Sequence, residues 1–152
     1  MLIIRNANKD DITTIVNFNS AMAMETEQKL LDFNTVHEGV NELLNNNELG
    51  FYLIAESDDT PVGQLMITKE WSDWRNGEFW WIQSVYVHLD YRKNNIYRKL
   101  YNEAIKLAKE SENVCGIRLY VDKDNNIAQK VYSKLGMKES NYIFFEEDWS
   151  DV

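Results

Sequence analysis

Between Val85 and Ile96 the chain runs from an apolar strand-like segment, through a turn rich in amide donors and basic side chains, into the start of a helical pattern. That order is chemically suggestive. The first turn of a helix carries backbone N–H groups with no partner inside the helix, and the aligned peptide dipoles make that end positive, so an anion is held there by geometry alone. Between Tyr91 and Lys109 stand Arg92, Lys93, Arg98, Lys99, Lys106 and Lys109, six of the chain's 16 basic residues, against the single acid Glu103. On charge alone a solvated helix face explains the cluster equally well. The turn that precedes it favours an anion site. The strand edge at Val85, Tyr86 and Val87 can also hydrogen-bond an extended ligand that carries amides, as a pantetheine arm does. Phosphates and a pantetheine arm on one molecule point to coenzyme A.

A second constellation is aromatic. Trp71, Trp74, Trp80 and Trp81 surround a turn that also bears Glu70, Asp73 and Glu78, a combination suited to a cationic or aromatic small molecule through ring faces and carboxylates. Core and hairpin packing accounts for the same residues equally well. His37 and His88 lie far apart and lack metal-ligand spacing with acidic partners, so no metal is assigned.

The elements that must position these groups follow from periodicity. Leu2–Arg5 reads as a strand, and Asp10 or Asp11 caps a helix with Ile12, Ile15, Val16 and Met22 roughly on one face. Asn34 or Thr35, with Glu38, resembles a capping box before a helix carrying Val36, Val40, Leu43 and Leu44. FYLIAE and VGQLMITKEW read as strands joined by the turn Asp58–Asp59–Thr60–Pro61, and Asn76–Gly77 leads into FWWIQSVYV, a central strand covered on both faces. Ile96, Leu100, Ala104 and Ala108, flanked by Tyr97, Tyr101 and Ile105, make the clearest helix. A strand over Ile117–Val121, a helix from Asn125 to its cap at Gly136, and a last strand over Tyr142–Glu147 complete the order βααβββαβαβ.

With 152 residues, 44% hydrophobic and 27% charged, the chain has the size and composition of one globular domain, residues 1–152. One cysteine, Cys115, excludes an intramolecular disulfide, and the polar N-terminus and lack of a long apolar run predict neither export nor a membrane partner, hence a cytoplasmic protein. A net charge of −9 argues against nucleic acid as a partner.

WWIQSVYVHLDYRKNNIYRKLY followed by IRLYVDKDNNIAQKVYSKLGM resembles the two sequence blocks of the GNAT superfamily of acetyl-CoA-dependent N-acetyltransferases. The resemblance implies an α/β (α+β) fold with a mixed, mostly antiparallel sheet flanked by helices, splayed beside the strand ending at Val87 to admit acetyl-CoA. The family's diphosphate loop, Arg/Gln-x-x-Gly-x-Gly/Ala, falls on Arg92, Lys93, Asn94, Asn95, Ile96 and Tyr97, where only the arginine matches strictly. Asparagine is the mildest replacement for glycine at 95, since it reaches left-handed backbone geometry readily. Tyr97 either narrows the approach of the diphosphate or joins the helix stripe. The second block, Asn125-x-x-Ala128-x-x-x-Tyr132-x-x-x-Gly136-Met137, resembles the series on the family's last helix.

By that resemblance Asn125 contacts the pantetheine arm, and Tyr132 protonates the departing thiolate. Many members carry a glutamate where Gln83 stands here. Gln83 cannot take a proton, but it can order a water through which the amine loses one to a more distant acid, Glu25 or Glu27. The expected activity is acetyl transfer to a primary amine of a small cationic acceptor. An acyl-CoA-binding module without turnover and a protein-interaction domain using the tryptophan hairpin are the rival expectations, and the oligomeric state, a homodimer included, stays open.

Overall fold

A computed structural model describes all 152 residues. Residues 1–119 and 120–152 form two separate units of packing. The first holds β1 (Leu2–Asn6), α1 (Ile12–Glu27), α2 (Phe33–Asn45), β2 (Gly50–Ser57), β3 (Thr60–Ser72), β4 (Gly77–Val87), α3 (Ile96–Glu110) and β5 (Val114–Arg118), and the second holds α4 (Asn126–Lys134). The five strands form one sheet in the order β1-β2-β3-β4-β5. All neighbours are antiparallel except β4 and β5, which run parallel across the α3 connection.

Strand alternation distributes the core between two faces. Tyr52 and Ile54 of β2 pack with Ile15 and Val16 of α1 and with Val40 and Leu43 of α2. Gly63, Leu65 and Ile67 have the opposite parity on β3, and a Cβ at Gly63 would lie 3.3 Å from the side chain of Ile96, the first residue of α3. Leu100 and Ala104 of α3 are fully buried with them, as the helical stripe predicts. None of the helices is long and apolar enough to cross a membrane.

Local chemistry shifts several boundaries. Asp58 and Asp59 both take left-handed φ, so the β2–β3 hairpin closes in two residues and Pro61 already lies in β3. Asp32 caps α2 rather than Asn34 or Thr35: its carboxylate accepts from the Thr35 amide at 2.8 Å and the Thr35 hydroxyl at 2.7 Å, which places Thr35 inside the first turn. Asp11 stands at the N-cap of α1 as expected, without a side-chain bond to that helix, and Asn8 caps the 3-10 turn Lys9–Asp11 that leads into it, with a reciprocal Asp11 bond. β5 begins at Val114, three residues before the expected Ile117, because its register is set by pairing with Glu78–Trp81.

The last expected strand is corrected outright: Tyr142–Glu147 forms none, so the observed order is βααβββαβα. A strand is stabilised by a partner that accepts its backbone bonds. Here the flanking backbone turns locally instead, with the Ser140 hydroxyl accepting from the Tyr142 amide and Asp148 from the Ser150 amide. Tyr142, Ile143, Phe144 and Phe145 are 70–87% exposed. Within the same unit α4 ends as expected, at a left-handed Gly136.

Asp11 ties β1 to α1. Arg5 grips both its oxygens at 2.8 and 2.9 Å and reaches Glu56 at 2.8 Å. Burial by itself would raise the Asp11 pKa, but the Arg5 guanidinium and the Asn8 amide outweigh it and hold the carboxyl below its usual 3.8. For a depressed acid, the stabilisation is complete above that usual value and is lost as pH falls through the lower folded one. Asp11→Asn should cost about 2 kcal/mol at neutral pH, from its lost charge-assisted bonds, and should flatten the acid limb of stability. Urea midpoints from pH 6 down to pH 2 for both proteins check this; equal acid limbs would refute it.

Candidate active site

The β3–β4 ladder contains one irregularity. Gln64 faces Tyr86 but Met66 faces Gln83, so Ser84 and Val85 together oppose Leu65, a β-bulge with Ser84 at φ 50°. On the other side of β4, the ladder with β5 covers only Glu78–Trp81. Ile82–Val87, which contains the kink, therefore has no strand paired to that edge. The ladder thus stops well before Val87, where a splay is expected, and edge N–H and C=O groups there, apart from the Val87 carbonyl that Arg92 bonds, suit a ligand with amides in an extended arm.

The chain then turns through Leu89–Tyr91 into α3. Lys93 and Asn95 both have left-handed φ, 68° and 59°, and Asn95 caps α3 without a side-chain bond to its first turn. Alternating backbone handedness before a helix gathers N–H groups into a concave anion cradle. Arg92 supports this loop from below: its Nε donates to the Val87 carbonyl at 2.8 Å, a second nitrogen reaches Glu25 at 2.7 Å, and its guanidinium lies 5.4 Å from the Tyr86 ring. Lys93, Arg98 and Lys99 are exposed around the cradle. These residues fit a diphosphate. Tyr97 belongs to the helix stripe: its ring lies 6.3 Å from that of Tyr101, one turn on, and its hydroxyl is buried.

Gln83 donates to the Thr68 hydroxyl at 2.6 Å, which fixes its amide across β3 and leaves its oxygen as an acceptor. Glu25, at the end of α1, is brought to the cradle by Arg92, whereas Glu27 is exposed on the last turn. The tryptophans do not form one cluster. Trp80 is buried edge-on to Phe51 at 5.2 Å, Trp81 donates to Glu70 at 2.8 Å, and Trp71 and Trp74 are exposed. Glu70 also accepts from Arg118 of β5, whose guanidinium stacks 3.5 Å above Phe79. Sequence reading missed this three-strand group. The alternation of Thr68 and Glu70 on β3 is its only trace, and the β4 register is needed to read it.

In the second unit, the Asn125 side chain accepts from the Ala128 amide at 3.1 Å and caps α4. Burial raises the pKa of half-buried Tyr132, so its phenol keeps its proton at neutral pH.

The sequence model of the acetyltransferase (GNAT) family matches residues 17–137. The crystal structure of a possible acetyltransferase from Clostridium difficile 630 is 43% identical over 97% of each chain, with a TM-score of 0.92. At lower identity the likeness concerns the fold. A predicted acetyltransferase with acetyl-CoA from Clostridium acetobutylicum is 21% identical over 97% of this chain and 96% of its own, TM-score 0.80. An aminoglycoside acetyltransferase from an uncultured soil metagenomic sample, in complex with sisomicin, is 16% identical over 98% and 97%, TM-score 0.78. None of the curated proteins matches.

Proposed function

We propose, from the premise that this chain belongs to the acetyltransferase (GNAT) family, that it moves the acetyl group of acetyl-CoA to a primary amine of a small, cationic acceptor by direct attack, with Tyr132 as general acid. The observation that carries this reading is the open β4 edge after the Ser84 bulge, running directly into an amide cradle at the start of α3. An overall charge of −9 favours a cationic acceptor over an anionic one. The reading takes residues 1–152 as one functional domain, working in the cytoplasm.

Acetyl-CoA supplies an activated acyl group, a thioester that an uncharged amine can attack. Backbone N–H groups of Arg92, Lys93, Asn94, Asn95, Ile96 and Tyr97 hold its diphosphate, and Val85, Tyr86 and Val87 bond the pantetheine arm along the strand edge. Asn125 keeps its amide donor for the same arm, since its oxygen is used as the cap. Gln83, locked on Thr68, orders a water with its free oxygen. Glu25, which Arg92 contacts at 2.7 Å, receives the acceptor's proton through that water. Tyr132 holds a proton at its hydroxyl for the departing sulfur.

Release of free thiol from acetyl-CoA in the presence of pooled amines is the expected result. Binding without release would leave an acyl-CoA-binding module, and neither would leave an interaction domain. Affinity should fall as salt rises from low to high ionic strength, because the cradle is exposed. Asn95→Gly should bind acetyl-CoA at least as tightly as wild type, since glycine reaches φ 59° without strain. Clear weakening in calorimetry would give the asparagine side chain a role of its own.

A further inference from the structure

Gln64 is a fully buried amide in an otherwise apolar stretch of β3, and its contacts converge on the β4 kink. Its Nε2 donates to the Ser84 carbonyl at 3.0 Å and to the Asn19 side-chain oxygen at 2.9 Å. Asn19, itself 8% exposed on α1, donates to the Tyr52 hydroxyl at 3.4 Å. Tyr52, Asn19 and Gln64 form a chain of bonds that ends on the Ser84 carbonyl. Both partners of Gln64 Nε2 are oxygens, so the amide orientation follows from chemistry: turned over, its own oxygen would face them.

Such a chain has a physical reason to be there. A bulge breaks one step of a ladder, and a carbonyl turned toward the interior without a donor is costly. Serine at φ 50° is also held in a region that side chains other than glycine and asparagine seldom adopt. From this we infer that Gln64 is a positioning residue for acetyl transfer: its amide replaces the missing ladder donor at Ser84, holds the kink, and thereby keeps the edge at Val85–Val87 open to the pantetheine arm. Through Asn19 the same amide fastens that edge to α1, the helix whose last turns carry Glu25. The inference rests on the reading of this edge as the cofactor groove.

Gln64→Met keeps the side chain's length and removes its donor. In that variant the NMR carbon shifts of Ser84 should leave their left-handed values, and acetyl-CoA affinity by calorimetry should drop about tenfold, the effect of one lost buried hydrogen bond. Adding Ser84→Gly, which needs no support at positive φ, should restore the affinity. Should Gln64→Met not fold, the double variant decides: it folds and binds like wild type. A folded Gln64→Met protein with unchanged Ser84 shifts or unchanged affinity overturns the proposal, as does a double variant no better than the single one. If wild type binds no acetyl-CoA, the functional reading fails, while the Ser84 shifts still test whether Gln64 holds the kink.

Discussion

In single-turnover experiments with saturating acceptor, Tyr132→Phe should lower the rate by about a hundredfold to ten-thousandfold, the usual contribution of a general acid. Acetyl-CoA affinity and melting temperature should barely move, because the ring and its packing survive. The expectation joins two facts: Tyr132 stands in the family series between Asn125 and Gly136, and burial raises its pKa above the ordinary 10.0. The sign follows. A raised pKa keeps the donor form populated throughout the neutral range, and the rate should fall only as pH climbs through that raised value. Equal single-turnover rates for the two proteins would make Tyr132 a packing residue and end this mechanism.

The largest stability effect should come from Gly50→Ala at the start of β2. Gly50 has φ 151°, and a Cβ there would lie 1.8 Å from the Ile67 carbonyl oxygen. Backbone cannot yield as a flexible side chain does, so strain and overpacking combine to a loss of about 3–5 kcal/mol. Gly39, inside α2, is the matched contrast: a Cβ there meets nothing within 4 Å. Gly39→Ala should stabilise the protein by about 0.5–1 kcal/mol through helix propensity. Chemical denaturation of both variants checks the pair, and a Gly50→Ala protein as stable as wild type would contradict the account.

Features that one segment determines by itself were legible before the structure. The stripe Ile96, Leu100, Ala104, Ala108 placed α3, and asparagine's ease in left-handed geometry anticipated the φ of 59° at Asn95. Features that depend on two segments were not. The Ser84 bulge exists only in the register between β3 and β4, and Gln64 looks like a polar interruption until Asn19 and Ser84 are seen beside it. Glu70 has the same history, since Arg118 is 48 residues away in sequence. Tyr142–Glu147 shows the opposite failure: β-prone side chains proposed a strand, but a ladder needs a second strand and local turns claimed the backbone.

The unpaired edge at Ile82–Val87 also makes the protein's durability a matter of supply. A gap in a sheet is where strands of other molecules add, which is why natural sheets cover or interrupt such edges. On the proposed function the cover would be acetyl-CoA itself, so occupancy would both feed the reaction and block adventitious strand addition. Because the groove exists only in the folded chain, each bound cofactor draws the folding equilibrium with it, by about 2.7 kcal/mol when the cofactor stands at a hundred times its dissociation constant. Cells rich in acetyl-CoA would hold a sturdier population of this protein than starved ones, with no change in its sequence.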